Sequence, residues 1–116
     1  MSQSAQTTAQ AADVAVTPSL MLGRQEARFT FIPSSNSTQT QRFTLSPPDG
    51  TQTAVICLQE FDVQYTNRNH FDFGQLRVSL STSRDLADCT VTLRDDKINE
   101  RQWEGTVTGL VMFFGK

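Results

Sequence analysis

Thr106-Val107-Thr108-Gly109-Leu110-Val111-Met112-Phe113-Phe114 is apolar on both faces when read as an extended strand. Successive strand side chains point to opposite sides of a sheet, so Val107, Val111 and Phe113 line one face. Leu110, Met112 and Phe114 line the other. A strand of a small antiparallel sandwich ordinarily buries one face and wets the other. A chain of 116 residues has room for one thin core, so the second apolar face requires a partner. The simplest partner is a copy of the same chain, which makes Leu110, Met112 and Phe114 the expected interface.

Upstream of this strand the chain alternates in short runs broken by turn residues. Ala27 to Ile32 alternates around Phe29 and Phe31 and stops at Pro33-Ser34-Ser35-Asn36. Arg42 to Ser46 alternates around Phe43 and Leu45 and stops at Pro47-Pro48-Asp49-Gly50, a strong turn signal. Thr53 to Tyr65 is a long β-branched and apolar run whose polar middle, Gln59-Glu60, predicts a bend or bulge. Asn67 to Gly74 reads as a loop that carries two aromatics, Phe71 and Phe73. Gln75 to Thr82 sets Leu76, Val78 and Leu80 against Arg77, Ser79 and Ser81, and Cys89 to Leu93 alternates again. A charged connection, Arg94 to Gln102, leads to the final strand near Trp103. Six strands without a helical period predict an all-β, antiparallel β-sandwich or barrel.

Residues 1 to 22 read as a flexible N-terminal arm and 23 to 116 as one β domain. A short helix over Ala9–Val16 would be marginal alone. The first residues lack a basic segment and an apolar segment, so no secretory signal is recognisable, and no apolar run is long enough to span a membrane. The expectation is a cytoplasmic product, or one exported without a recognisable signal peptide. The net charge of −2 and the 19% charged content supply no basic footprint for nucleic acid. Lysine is confined to Lys97 and Lys116, leaving arginine, with its planar multi-donor fork, as the main cation. Cys57 and Cys89 both sit in apolar alternating runs. Buried free thiols are the plainer reading, and a disulfide would need an oxidising compartment.

Signatures of enzyme chemistry are scarce. No phosphate loop, zinc spacing or nucleophile elbow is present, and neither a cofactor nor a metal is expected. Asp95 and Asp96 are adjacent, point to opposite sides of an extended chain and read as solvated loop charges. His70 and Asp72 could pair as base and orienter, but no motif places a nucleophile with them. Asn36-Ser37-Thr38 matches the glycosylation acceptor pattern, which is common by chance.

Several short pieces together resemble the H-type lectin domain, the family of snail agglutinins and discoidin C-terminal modules. They are Phe43-x-Leu45-x-Pro47-Pro48, Val55-x-x-Leu58-x-x-Phe61-Asp62-Val63, Leu76-Arg77-Val78, the Cys89–Leu93 strand, and an aromatic before Val107-x-x-Leu110. The resemblance spans Arg42 to Phe114. It implies a six-stranded antiparallel sandwich assembled as a homotrimer, sometimes doubled to a hexamer, that binds galactose- or N-acetylgalactosamine-type glycans in clefts between protomers. Arg77 falls on the family arginine that reaches a sugar across the interface. An ordinary exposed strand arginine, or an interface ion pair, is the alternative. The family's aromatic platform at the end of the fifth strand is absent, since Arg94-Asp95-Asp96 stands there. Trp103 is the expected substitute, with a core or rim role as the other reading; Phe71, Asp72 and Phe73 complete the expected ligand-binding set. The function that follows is multivalent carbohydrate binding without enzyme activity. A structural or protein-interaction trimer, in a fibre-like or secretion-associated assembly, is the alternative.

Overall fold

The computed structural model describes residues 20–66, 73–95 and 101–115. The expected arm through Ser19, the Ala9–Val16 helix, Phe71, Asp72, His70 and Asp96 lie outside them. Six antiparallel strands form two three-stranded sheets consistent with a β-sandwich. β1 (Leu20–Ser34) and β3 (Thr51–Tyr65) flank β6 (Trp103–Gly115) in one sheet. β2 (Thr38–Thr44) and β4 (Phe73–Ser83) flank β5 (Leu86–Asp95) in the other. β1 lies against β2 and β3 against β4 across the sandwich.

Several boundaries move from the sequence expectation. β1 begins at Leu20, so residues 20–22 belong to the domain and not to an arm. Its extra length pairs Leu20 and Met21 with Gly115 and Phe114, across a register shift between Met21 and Gly23. Ile32 and Pro33 remain in the strand because both sit inside a second irregularity, between Phe31 and Ser34, where neither is paired with β6 and the missing N–H of Pro33 is not needed. β2 lies four residues earlier at its start than Arg42, because Thr38 and Thr40 pair with Thr92 and Thr90 of β5. Phe73 and Gly74 open β4 instead of closing a loop. The bulge expected at Gln59-Glu60 is present as a register shift between Leu58 and Glu60.

The core is built by the inward faces of β1, β5 and β6. Phe29 and Phe31, then Cys89, Val91 and Leu93, then Trp103, Val107, Val111 and Phe113, are all at most 2% exposed. Aromatic geometry locks two of the corners: Phe31 lies 5.5 Å from Trp103 between ring centroids, and Phe29 meets Phe43 edge-on at 6.3 Å. The Trp103 indole N–H donates to the Asn36 carbonyl at 2.8 Å, so its one polar atom is satisfied. Gly105 is required by close approach. A Cβ there would stand 2.7 Å from the Val63 Cα and meet the Asp62 carbonyl.

The turns behave as their residues dictate, with one exception. In Pro48-Asp49-Gly50-Thr51, the Thr51 N–H donates to the Pro48 carbonyl at 3.2 Å while Gly50 takes φ of 87°. That is a type II arrangement with glycine at the position that needs it. The β4–β5 hairpin has a two-residue loop, Arg84-Asp85, between the paired residues Ser83 and Leu86. Its first loop residue has φ of 58°, a region where glycine is normal and where Arg84 costs about 1–3 kcal/mol.

Because Trp103 is fully enclosed and bonded, Trp103→Ala is expected to destabilise the subunit by about 3–5 kcal/mol in urea unfolding. A loss below about 1 kcal/mol would mean the ring does not bear on the core.

Candidate functional site

The outward face of the β1–β6–β3 sheet follows from its register. Phe114 is flanked by Met21 and Thr53, Met112 by Arg24 and Val55, and Leu110 by Glu26 and Cys57. Directly opposed residues of an antiparallel pair share a face, so these side chains form one continuous surface. Leu110, Met112 and Phe114 are half-buried there, while Met21 and Val55 are exposed. The opposite set, Val107, Val111 and Phe113, is closed inside. The two-faced reading of β6 therefore matches the alternation in the structure. The remainder of the outer face is polar, with Thr106 and Thr108 of β6 at its centre, and the charges on its two flanks differ in sign. β1 contributes Arg24, Glu26 and Arg28, whereas β3 contributes Glu60 and Asp62.

The outward face of the β2–β5–β4 sheet has a different chemistry. Thr38 and Thr92 share a hydroxyl hydrogen bond at 2.9 Å, as do Thr40 and Thr90. Arg42 donates to Asp88 at 2.8 Å, and Arg94 donates to Gln75 at 2.6 Å. The hydrogen bond from Arg42 holds the Asp88 carboxyl below its ordinary pKa, and Arg42 is raised in return. A lowered folded-state carboxyl stabilises above its unfolded pKa and loses that contribution as pH falls through the lowered value. The pair is exposed to solvent and weak. Arg77, opposite Thr92, lies on this hydroxyl-rich surface. It is exposed and makes no hydrogen bond or ion pair among the described residues.

Three expectations about individual residues need correction. Trp103 is 0% exposed within one subunit, packed on Phe31, and offers no open ring face for a sugar. Asp95 is not a solvated loop charge: it ends β5, is 3% exposed, and accepts from the Arg101 guanidinium at 3.0 Å. A buried carboxylate of this kind is held by its partners, and removing one is costly. The two cysteines differ as well. Both are free, but Cys57 is exposed on the outer face beside Leu110, while Cys89 is buried.

The register separates residues that the resemblance would bring together. Arg77 belongs to the outer face of one sheet, and Leu110, Met112 and Phe114 to the outer face of the other. They approach one another only around the edge of the sandwich formed by β3 and β4. That edge carries a residue the sequence reading assigned no role. Phe61 is on the inward register, opposite Val107, yet remains 45% exposed beside the open β3 edge. Leu76, next to Arg77, is also exposed, at 38%. The cue available in the sequence was the Leu58–Glu60 bulge, which turns the strand just before Phe61. Of the expected ligand set, Phe73 opens β4 opposite Asp95, four residues from Arg77, or about 13 Å along an extended strand.

Among the described residues no cluster of His, Cys, Asp or Glu is arranged to hold a metal ion, and no helix is long and apolar enough to cross a membrane.

Burial pushes the Cys89 thiol up to about 11, so at mildly alkaline pH it stays protonated as well as enclosed. Thiol titration of the separated subunit, below the concentration at which it would assemble through this face, is expected to find fast labelling at Cys57 and labelling of Cys89 only on unfolding. Fast reaction of both thiols would contradict the assigned faces.

Comparison with protein-family models, with curated proteins and with solved structures finds no match to this chain, so the placement of its residues is what bears on function.

Proposed function

We propose that this chain is a self-assembling, multivalent carbohydrate-binding module, probed best as a homotrimer. The observation that carries the assembly is the apolar outer face centred on Leu110, Met112 and Phe114. Three copies turning this face toward a common axis would bury it. In such a ring each protomer's β3 flank meets the next protomer's β1 flank, as in any heterologous closed interface. Glu60 and Asp62 then approach Arg24 and Arg28 of the neighbour, an arrangement of opposite charge that fixes the direction of the ring. Completing the burial of half-covered Leu110, Met112 and Phe114 contributes roughly 1 kcal/mol per side chain before association costs. The match in charge and apolar area supports a small ring more than an isolated subunit.

The β3–β4 edge borders each seam of this ring. Arg77 supplies an unpaired fork of donors, and Phe61 supplies a half-open ring in place of the enclosed Trp103. Sugars are recognised by such a combination, with the ring covering C–H groups and the guanidinium bonding hydroxyls. One shallow site binds weakly, and presentation in several copies supplies avidity. Galactose- and N-acetylgalactosamine-type glycans are the first ligands to examine, from the family resemblance. The burial of Trp103 favours a second reading, a structural trimer without a sugar site.

Native mass measurement of the full chain should give three or six times the chain mass at micromolar concentration. Glycan-array binding should accompany it, and Arg77→Ala and Phe61→Ala should each weaken that binding by about 1–3 kcal/mol while the oligomer persists. An oligomer that binds no glycan on a multivalent array would select the structural reading.

A further inference from the structure

A groove of about 680 Å³ opens at the end of the sandwich where β3 begins and β4 ends. Thr51 and Ala54 of β3, Thr82 of β4, Pro47, and the hairpin residues Arg84 and Asp85 line it. None of these residues was assigned a binding role from the sequence, and the groove stands five residues along β4 from Arg77.

Arg84 occupies a left-handed backbone position, φ 58°, at the first residue of a two-residue hairpin loop. Glycine would sit there without strain. The Arg84 side chain recovers nothing inside the subunit, since it makes no hydrogen bond or ion pair among the described residues. The loop itself is held by its backbone, through the Leu45 N–H donating to the Asp85 carbonyl at 2.7 Å. The Arg84 guanidinium is therefore available to a ligand at the lip of the groove.

Two of the three wall hydroxyls, those of Thr51 and Thr82, are committed in one sense, while Thr53 and Gln52 also line the groove. Thr51 donates its proton to the Pro48 carbonyl at 2.6 Å, and Thr82 donates to the Ala54 carbonyl at 3.0 Å. With their protons used, both present only lone pairs to the groove, which suits a ligand rich in O–H donors. Asp85 is a further acceptor. The apolar part of the lining is Pro47 and Ala54, with no aromatic ring to stack on. The strongest contact on offer is thus the Arg84 fork, which matches a carboxylate in two parallel hydrogen bonds. Arg84 and Asp85 together leave the groove neutral. That disfavours a bare anion and suits a molecule that carries a carboxylate and hydroxyls side by side.

We propose that this groove binds a carboxylate-bearing saccharide of the uronic acid type. Arg84 takes the carboxylate, and Thr51, Thr82 and Asp85 accept from the hydroxyls. The inference rests on the carbohydrate reading above and adds an acidic-sugar subsite to it, separate from Arg77.

Saturation-transfer NMR on the full chain, with glucuronic acid, galactose and acetate as probes, tests this. Glucuronic acid should bind at millimolar concentration and acetate at least about tenfold more weakly. Arg84→Gly should reduce glucuronic acid binding about tenfold or more and, by relieving the backbone, raise the melting temperature by roughly 4–8 °C. Arg84→Lys, which keeps the charge without the fork, should also weaken binding. Glucuronic acid binding that Arg84→Gly leaves intact would place it elsewhere and overturn the proposal, as would acetate binding equally well. Galactose bound through Arg77 with no glucuronic acid binding would remove this subsite and keep the carbohydrate reading. Failure of every saccharide would remove both.

Discussion

The structure depends on β6 having two apolar faces and a neighbour on each side. Hydrogen-bonded between β1 and β3, it cannot turn either face away from its surroundings. Val107, Val111 and Phe113 are enclosed by the second sheet, at no more than 1% exposure. Leu110, Met112 and Phe114 have only their lateral neighbours and stay half-covered. The hydrophobic effect scales with area removed from water, so the same strand that closes the core leaves a second burial incomplete. The self-association proposed above would use that surplus.

The polar features are arranged around this constraint. On the outer face of the other sheet, threonine pairs and the Arg42–Asp88 and Arg94–Gln75 contacts satisfy one another across strands. That sheet is fitted to water along its length, whereas the β1–β6–β3 sheet is apolar around Leu110, Met112 and Phe114 and polar only beyond them. The exceptions to mutual satisfaction are the informative ones. Among the described residues, Arg77 makes no hydrogen bond or ion pair on a surface where Arg42 and Arg94 are paired, and Arg84 makes none from its strained position. Side chains that folding does not need are the ones available for recognition. Phe61 joins them: it follows the bulge on the edge strand β3, and its ring stays 45% exposed.

Much of the fold was legible because period-2 alternation and turn chemistry are local signals. The Pro48–Thr51 turn, the Gln59-Glu60 bulge and the opposite faces of Val111 and Met112 could be read from neighbouring residues. Strand ends were less legible. The extension of β1 to Leu20 depends on Gly115 and Phe114, nearly a chain length away, and β2 begins at Thr38 because Thr92 stands opposite. The site was the least legible part. Trp103 looks like a surface platform beside a charged connection, but Phe31 and the Asn36 carbonyl claim both its ring and its N–H. Asp95 looks solvated beside Asp96, but Arg101 is folded back onto it. Each of those outcomes is set by a contact across the fold, which alternation along the chain does not encode.

Val111 and Met112 are adjacent in sequence and face opposite ways, so placing one aspartate at either position separates the two roles of β6. The measurement is sedimentation velocity with circular dichroism on Val111→Asp and Met112→Asp, alongside the parent chain. An unpaired carboxylate in the core costs several kcal/mol, so Val111→Asp is predicted to unfold the subunit. Met112→Asp is predicted to keep the native spectrum and sediment as a monomer, while the parent sediments as a trimer or hexamer. A parent chain that is monomeric, or a Met112→Asp variant that remains assembled, would contradict the account.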